Sequence, residues 1–286
     1  MITQMRSGVT VLTGRDLFRF SIFCVRTMAI RLFEEKDHAQ LYSKYRPTYP
    51  DSVYETIMRF YGHGKEDAGD YTLAVDVGCG NGQSSFPLVK HFSRVIGCDV
   101  SKEQIKSAVK HEKLTYTVCS GENLSFLQDG SVDLLTIAQA LHWLDRETFF
   151  KEVIRVLKPG GVFAGYGYGN NILNNEDANN IVKKFYSFTL GKYWDKQRSH
   201  IDNMYMDIKL PFHEQQRIED ERVSIRRTMP VDAYIGYVST WSAWQSLLRA
   251  IPGSTELGKV QEGLKEIYMD REMSIYWPGF LLLGRR

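Results

Sequence analysis

The sequence has few cysteines and no strong excess of charge of either sign. Its four cysteines form no Cys-x-x-Cys pair and show no spacing typical of metal ligands, so we predict no metal site. Lysine plus arginine (36) nearly balances aspartate plus glutamate (34), which leaves a formal net charge of +2. Without a basic field, the composition indicates neither nucleic acid nor an anionic membrane surface as a partner.

Long apolar segments are also missing. The apolar run at residues 17–30 is interrupted by Arg19 and Arg26, so it is too short and too charged to span a bilayer, and we predict no membrane insertion. Residues 1–27 carry four arginines against one acid, a composition typical of a mitochondrial transit peptide. The alternative is a disordered extension ahead of a second start at Met28. We expect a cytoplasmic protein, or a mitochondrial one if residues 1–27 are a transit peptide.

Helix and strand signals alternate from residue 51 onward, which predicts a parallel sheet with helices on both faces. Ser101 and Asp145 are predicted helix N-caps. Buried strands are predicted at residues 73–77, 94–98, 115–119, 132–137 and 162–166, and two further strands, at 221–227 and 273–284, are expected to form an antiparallel addition at the sheet edge.

The predicted fold is therefore α/β: a Rossmann-like, seven-stranded, mostly parallel sheet with an antiparallel strand at the edge, helices on both faces and a helical cap. We expect one domain over residues 28–286. Its ligand-binding core would span about residues 70–168, and the cap and closing strands about residues 170–286.

The strongest functional signal is Asp76-Val-Gly-Cys-Gly-Asn-Gly82, directly after the first buried strand. Glycines there let the backbone approach a ligand closely, and the carboxyl end of the first strand is where α/β sheets bind ligands. A dinucleotide loop needs Gly-x-Gly-x-x-Gly, whereas the third glycine here comes one residue early and position 83 is Gln83. The carboxylate of Asp76 would repel a pyrophosphate and attract an ammonium group. The loop thus favours an amino-acid-bearing nucleoside.

Three more polar residues follow the next strands at the same edge. Asp99 ends the second strand, where a carboxylate accepts hydrogen bonds from ribose hydroxyls; the alternative is a helix-capping aspartate. Glu122, after the third strand, is at the height of an adenine ring, or is simply a surface acid. His142, after the fourth strand, is a candidate general base, with a buried structural histidine as the alternative.

Together these motifs resemble the class I methyltransferases of the type-11, ubiquinone-biosynthesis-like group. The further matching segments are Gly97-Cys-Asp-Val-Ser101, Ala140-Leu-His-Trp143 and Leu157-Lys-Pro-Gly-Gly161. Tyr45-Arg-Pro-Thr-Tyr-Pro50 and Tyr237-Val-Ser-Thr-Trp-Ser242 are similar to the branch that contains trans-aconitate methyltransferases and their animal relatives.

The resemblance implies S-adenosylmethionine as the cofactor and assigns site residues by motif. Asp76, Gly78 and Gly80 would surround its methionine moiety, Asp99 its ribose and Glu122 its adenine, while Gln139 and His142 would line its open side. An N-terminal segment with Tyr42, Tyr45 and Arg46 would fold over the site.

The implied function is methylation of a small molecule by in-line displacement, in which the enzyme aligns the reacting atoms and excludes water. We expect O-methylation of a carboxylate or hydroxyl. A carboxylate needs a cationic clamp, for which Arg46 is the first candidate, ahead of Arg226, Arg227 and Lys192. Two alternatives stay open: an NAD-dependent oxidoreductase, and a non-catalytic binding protein on the same fold. The oligomeric state is expected to be a monomer or a dimer.

Overall fold

The computed structural model of this chain describes residues 45–62 and 71–286, so the predictions for residues 1–27 and for Tyr42 lie outside the described residues. The helices are α1 (Asp51–Gly62), α2 (Lys102–Lys106), α3 (Arg146–Val156), α4 (Glu176–Lys184), α5 (Arg198–Asp202), α6 (Val231–Ser239), α7 (Ser242–Ala250) and α8 (Glu256–Tyr268). The strands are β1 (Leu73–Val77), β2 (Arg94–Asp99), β3 (Leu114–Val118), β4 (Val132–Ala138), β5 (Leu157–Tyr168), β6 (Ile172–Leu173), β7 (Glu214–Ile218), β8 (Ile225–Met229), β9 (Met273–Trp277) and β10 (Gly279–Arg285).

Seven strands form the main sheet in the order β3-β2-β1-β4-β5-β10-β7. Strands β1 to β5 are parallel, and β10 is antiparallel to both of its neighbours, β5 and β7. This confirms the predicted seven-stranded, mostly parallel sheet, with its antiparallel strand next to the outermost one. Because β1 to β4 are parallel, the loops that follow them all leave the same edge of the sheet.

The last strands differ from the prediction. The segment predicted as one strand at 273–284 is divided at Pro278, which has no N–H to donate to a ladder. Its first half, β9, pairs with β6 and β8 in a separate antiparallel sheet. The strand predicted at 221–227 corresponds to β8, so it also lies outside the main sheet. The chain passes from the small sheet to the main sheet at Gly279. Only glycine fits there, because a Cβ would collide with the carbonyl oxygen of Val223.

The outermost strand, β7, is absent from the sequence prediction. Residues 214–216 are exposed, as expected at a sheet edge that faces solvent. A strand without an alternating apolar face has no periodicity that a sequence reading can detect.

Buried side chains form two clusters on the main sheet and a third in the cap. The cap cluster lies among β8, β9 and helices α4 and α6–α8, and contains the fully buried Trp277, whose indole N–H donates to the hydroxyl of Tyr237 (3.0 Å). In the described residues, no helix has the length and apolar character needed to cross a membrane.

Candidate active site

Loops from four parallel strands line a first cavity at the carboxyl edge of the main sheet. Its walls include Gly78 and Gly80 after β1, Asp99 after β2, Cys119 and Gly121 after β3, and Gln139 and Trp143 after β4. The sheet topology thus brings together residues that are far apart in the sequence, as the motif positions predict.

The loop after β1 depends on glycine at position 78. Gly78 has a φ of +64°, in the left-handed region, and a Cβ there would lie 2.6 Å from the Cβ of Ala140 in the loop after β4. Any side chain would push these two loops apart. The glycine therefore keeps the cavity open next to the backbone of both loops.

Asp76 is buried next to this loop. Its carboxylate is fully buried and accepts hydrogen bonds from the hydroxyls of Ser84 (2.8 Å), Ser85 (2.6 Å) and Thr136 (2.7 Å). Burial raises its pKa, and these three hydroxyl donors oppose that rise. The side chain does not line the first cavity, and its place around the methionine moiety stays a prediction. We propose that Asp76 acts by holding the loop in place.

Asp99 does lie at the cavity wall. Its Oδ2 accepts from the backbone N–H of Gly80 (2.8 Å) and its Oδ1 from that of Ser101 (2.8 Å). Burial raises the pKa of this carboxyl, and the backbone donors oppose that rise without cancelling it. Because each carboxylate oxygen has a second lone pair, Asp99 can still accept hydrogen bonds from a ligand. Its assignment to the ribose stays a prediction.

Glu122 does not line the first cavity; its neighbour Gly121 does. The Glu122 carboxylate accepts from the backbone N–H of Asp145 (3.0 Å) and from the hydroxyl of Ser120. The contact of Glu122 with adenine stays a prediction. The side chain ties the loop after β3 to the start of α3, and the backbone around Gly121 is what faces the cavity.

A second cavity adjoins the first, and Gln139 and Trp143 line both. Arg46 is on its wall, where the guanidinium donates to the hydroxyl of Tyr168 (3.3 Å) and the carbonyl oxygen of Thr240 (3.2 Å). The same guanidinium lies 5.6 Å from the ring centroid of Tyr237.

A third cavity, between residues 46–49 and the glycine loop, also includes Arg46, Gly78, Gly80 and Gln139. Gln139 therefore lies where all three cavities meet. Its Nε2 donates to the carbonyl oxygen of Tyr168 (3.0 Å), and its φ is +53°, a strained value for a residue with a side chain. By contrast, Tyr45, predicted at the cofactor, packs its ring against Gly236 of α6.

His142 lines the second cavity and is 5% exposed. Its Nδ1 is 2.7 Å from the hydroxyl oxygen of Tyr205, and burial lowers the pKa of His142 to about 3. The imidazole is thus neutral at physiological pH and a weak base. His142 can therefore contact an acceptor in the second cavity, but its low pKa makes it an inefficient base for proton abstraction.

Arg198 is a cavity residue that sequence reasoning missed. It comes from α5 in the cap, donates to Asp202 Oδ1 (3.1 Å) and Asn170 Oδ1 (2.7 Å), and lies 4.9 Å from the ring of Trp194. No motif marks it, because its place at the site arises only from the packing of the cap.

The weaker clamp candidates are elsewhere. Arg226 forms an exposed ion pair with Glu221, and Arg227 donates to the hydroxyl of Thr48. Lys192 lies over the ring of Tyr193 at 5.1 Å. None of these three cations lines the second cavity.

Comparisons with known proteins agree with this geometry. A family model described as a methyltransferase domain matches residues 75–165, from the glycine loop to β5. The chain is 34% identical over 253 residues to a Dictyostelium discoideum protein named as a methyltransferase, covering 86% of this chain and 92% of that protein. It is 26% identical over 281 residues to CRG1 of Saccharomyces cerevisiae, named as an S-adenosylmethionine-dependent methyltransferase, covering 86% and 94%.

A solved structure is also similar over nearly its whole length. It is described as a type II methyltransferase from Anaeromyxobacter dehalogenans, with a TM-score of 0.70 and 32% identity, covering 84% of this chain and 98% of that one. Since the likeness extends through both the sheet and the cap, and the domain match covers the loops around the first cavity, the chain belongs to the class I S-adenosylmethionine-dependent methyltransferases.

Proposed function

We propose that this methyltransferase acts on a small anionic molecule and forms a methyl ester on a carboxylate. The observation that carries the proposal is the second cavity, which opens from the first at Gln139 and Trp143 and has two guanidinium groups, Arg46 and Arg198, on its walls. Guanidinium groups pair with carboxylates through two parallel hydrogen bonds. The same walls carry one acid, Asp195, so the two arginines leave the lining with a net positive charge, which favours an anionic acceptor.

The first cavity has the features that an amino-acid nucleoside requires. The missing side chain at Gly78 leaves backbone accessible, Asp99 has lone pairs for ribose hydroxyls, and Leu144 and Trp143 supply apolar surface for a purine. We therefore assign the cofactor to this cavity. When bound, S-adenosylmethionine supplies a methyl group already activated on a sulfonium.

The residues of the second cavity then have to bind and orient the acceptor. Arg46 would pair with its carboxylate, and the aromatic side chains of the cap would exclude water. A carboxylate is an anion at neutral pH and needs no base, whereas a hydroxyl acceptor must lose a proton. Because the pKa of His142 is about 3, proton removal by this imidazole is inefficient, which supports the carboxylate over the hydroxyl.

The resemblance to the trans-aconitate methyltransferase branch supports the same acceptor class. The two segments that carry it, residues 45–50 and 237–242, meet at Arg46, which contacts both Tyr237 and Thr240. We therefore propose small carboxylic acids as the acceptors.

The test is methyl transfer from labelled S-adenosylmethionine to a panel of small carboxylic acids, their alcohol counterparts and amines. We expect an alkali-labile methyl ester, identified by mass spectrometry. Arg46→Met should lower kcat/KM for the acid by about 10- to 100-fold, the effect of losing a charge-assisted hydrogen bond, mainly through KM. Affinity for S-adenosylhomocysteine should change little.

Arg249→Met, which removes an exposed arginine at the end of α7, is the matched control and should behave as wild type. Methylation of amines alone would contradict the acceptor class. Loss of S-adenosylhomocysteine binding in Arg46→Met, with the acceptor KM unchanged, would assign Arg46 to the cofactor instead.

A further inference from the structure

Two cysteines lie diagonally to each other on adjacent strands next to the first cavity. Cys98, in β2, is fully buried, while Cys119, just after β3, is partly exposed and lines the cavity. The strands are parallel, with Cys98 beside Thr117, and the N–H of Cys119 donates to the carbonyl oxygen of Asp99 (3.0 Å). Since side chains alternate along a strand, Cys119 shares a face with Thr117 and therefore with Cys98. Both pack in the same apolar cluster.

The thiols of Cys98 and Cys119 are close enough to shift each other's pKa, and this interaction makes them chemically unequal. It lowers the pKa of Cys119 and, together with burial, raises that of Cys98. The thiolate is the reactive form of cysteine, so the more reactive sulfur is the one that faces the cavity. The buried thiol is in position to react with it next.

The third described cysteine is on the other side of β2. Cys79 packs against Gly97, where a Cβ would lie 2.9 Å from its Sγ, and consecutive strand residues point to opposite faces. Cys79 is also buried. The geometry therefore selects Cys98, and not Cys79, as the partner of Cys119.

We propose that Cys98 and Cys119 are a peroxide-oxidisable pair whose disulfide closes the cofactor cavity. The Cys119 sulfur attacks a peroxide oxygen: an S–O bond forms, the O–O bond breaks, and the leaving oxygen takes a proton to become water. The Cys98 sulfur then attacks this sulfenic acid: the S–S bond forms, the S–O bond breaks, and a second water leaves with the remaining thiol proton. Two thiols and one hydrogen peroxide thus give one disulfide and two waters.

The position of the pair couples this oxidation to ligand binding. Cys98 directly precedes Asp99, and Cys119 is two residues before Gly121, so joining the sulfurs draws together two strand ends that form the cavity wall. A ligand in the cavity covers Cys119 and should protect it. This coupling depends on the proposed placement of the cofactor in the first cavity.

The experiment treats the reduced full-length protein with hydrogen peroxide, with and without S-adenosylhomocysteine, then denatures it, alkylates free thiols and maps disulfides by peptide mass spectrometry. We expect a Cys98–Cys119 cross-link that forms more slowly with the ligand present. Affinity for S-adenosylhomocysteine, measured by calorimetry, should fall at least about tenfold on oxidation and recover with dithiothreitol, because the cavity wall is displaced.

Two variants make the result specific. Cys79→Ser should form the same cross-link, and Cys119→Ser should form none and show the same affinity before and after peroxide. Absence of the cross-link, or a cross-link through Cys79, would show that the proposed oxidation of Cys98 and Cys119 is wrong. This conclusion does not depend on where the cofactor binds. A mapped Cys98–Cys119 cross-link with unchanged S-adenosylhomocysteine affinity would overturn the coupling. A cross-link that forms at the same rate with saturating S-adenosylhomocysteine would instead overturn the placement of the cofactor in this cavity.

Discussion

Single side chains at the sheet edge divide into those that face the cavity and those that hold its loops. Asp99 does both, since it lines the cavity and accepts from the backbone N–H of Gly80, whereas Asp76 and Glu122 belong to the second kind. All three are acids at or just beyond the end of a parallel strand, so the sequence pattern does not distinguish their roles. The difference arises from their donors: three hydroxyls surround Asp76, and the N–H at the start of α3 binds Glu122.

Asp99→Ala should weaken S-adenosylhomocysteine binding by about 1–3 kcal/mol, because ribose hydroxyls would lose a buried partner. Isothermal titration calorimetry measures this directly. Asp270→Ala, at an exposed position after α8, is the control and should leave the affinity unchanged. Equal affinity for Asp99→Ala and wild type would show that the ribose lies elsewhere.

His142 should make folding stability depend on pH. Its pKa is lowered from 6.5 to about 3 by burial, so between these values the unfolded chain binds a proton that the folded chain does not. The stability is present above pH 6.5 and is lost as the pH falls, by up to about 1.4 kcal/mol per pH unit. From about pH 7.5 to about pH 5, wild type should therefore lose about 2 kcal/mol more than His142→Gln.

Urea unfolding at the two pH values gives this difference, since the other titrating groups are common to both proteins. His213→Gln replaces an exposed imidazole and should retain the wild-type pH dependence. The same pH dependence in His142→Gln would mean that this imidazole is not buried in its neutral form.

At the scale of elements, the site depends on close contact between loops. Gly78→Ala would place a methyl group 2.6 Å from the Cβ of Ala140, in a backbone conformation that disfavours any Cβ. We expect S-adenosylhomocysteine affinity to fall at least about tenfold, because the loops after β1 and β4 must separate.

Gly253→Ala is a matched control, since Gly253 also has a positive φ, +79°, but no atoms lie near the added Cβ. It should lower the free energy of unfolding by about 1–2 kcal/mol and leave ligand affinity intact. Similar affinities for the two variants in a thermal-shift titration would show that the contact between Gly78 and Ala140 is unimportant.

Local signals predict several element boundaries correctly. Ser101 accepts from the N–H of Gln104 at the start of α2, and Asp145 from that of Thr148 at the start of α3, as their spacings indicate. These caps involve residues within one turn, so the sequence contains all the information needed. The division of 273–284 between two sheets depends instead on Val223 and β8, which are distant in the sequence.

For the whole molecule, the position of the first cavity predicts which backbone amides exchange more slowly when the ligand binds. S-adenosylhomocysteine should slow backbone hydrogen exchange at residues 78–82, 99–101, 119–121 and 139–144, which line or flank the first cavity. Amides of α8, in the cap, should show no comparable local change. Protection confined to the cap would contradict the proposed location of the cofactor, and hydrogen–deuterium exchange mass spectrometry resolves these segments.

The sequence by itself determines the parallel sheet, the glycine loop and the cofactor class. Each depends on contiguous residues: apolar runs the length of a strand, and a loop whose glycine spacing differs from that of dinucleotide-binding proteins. Family membership decides against the oxidoreductase alternative.

Only the tertiary structure decides which polar residues reach the cavities. It engages Asp76 and Glu122 in hydrogen bonds within the protein, brings Arg198 to the wall of the same cavity as Arg46, and places Cys119 diagonally to Cys98 on the next strand. The physical reason is that contacts between distant segments are set by how the cap packs on the sheet and by which donors are nearby. The spacing of residues along the chain encodes neither the packing of the cap nor the identity of the nearby donors.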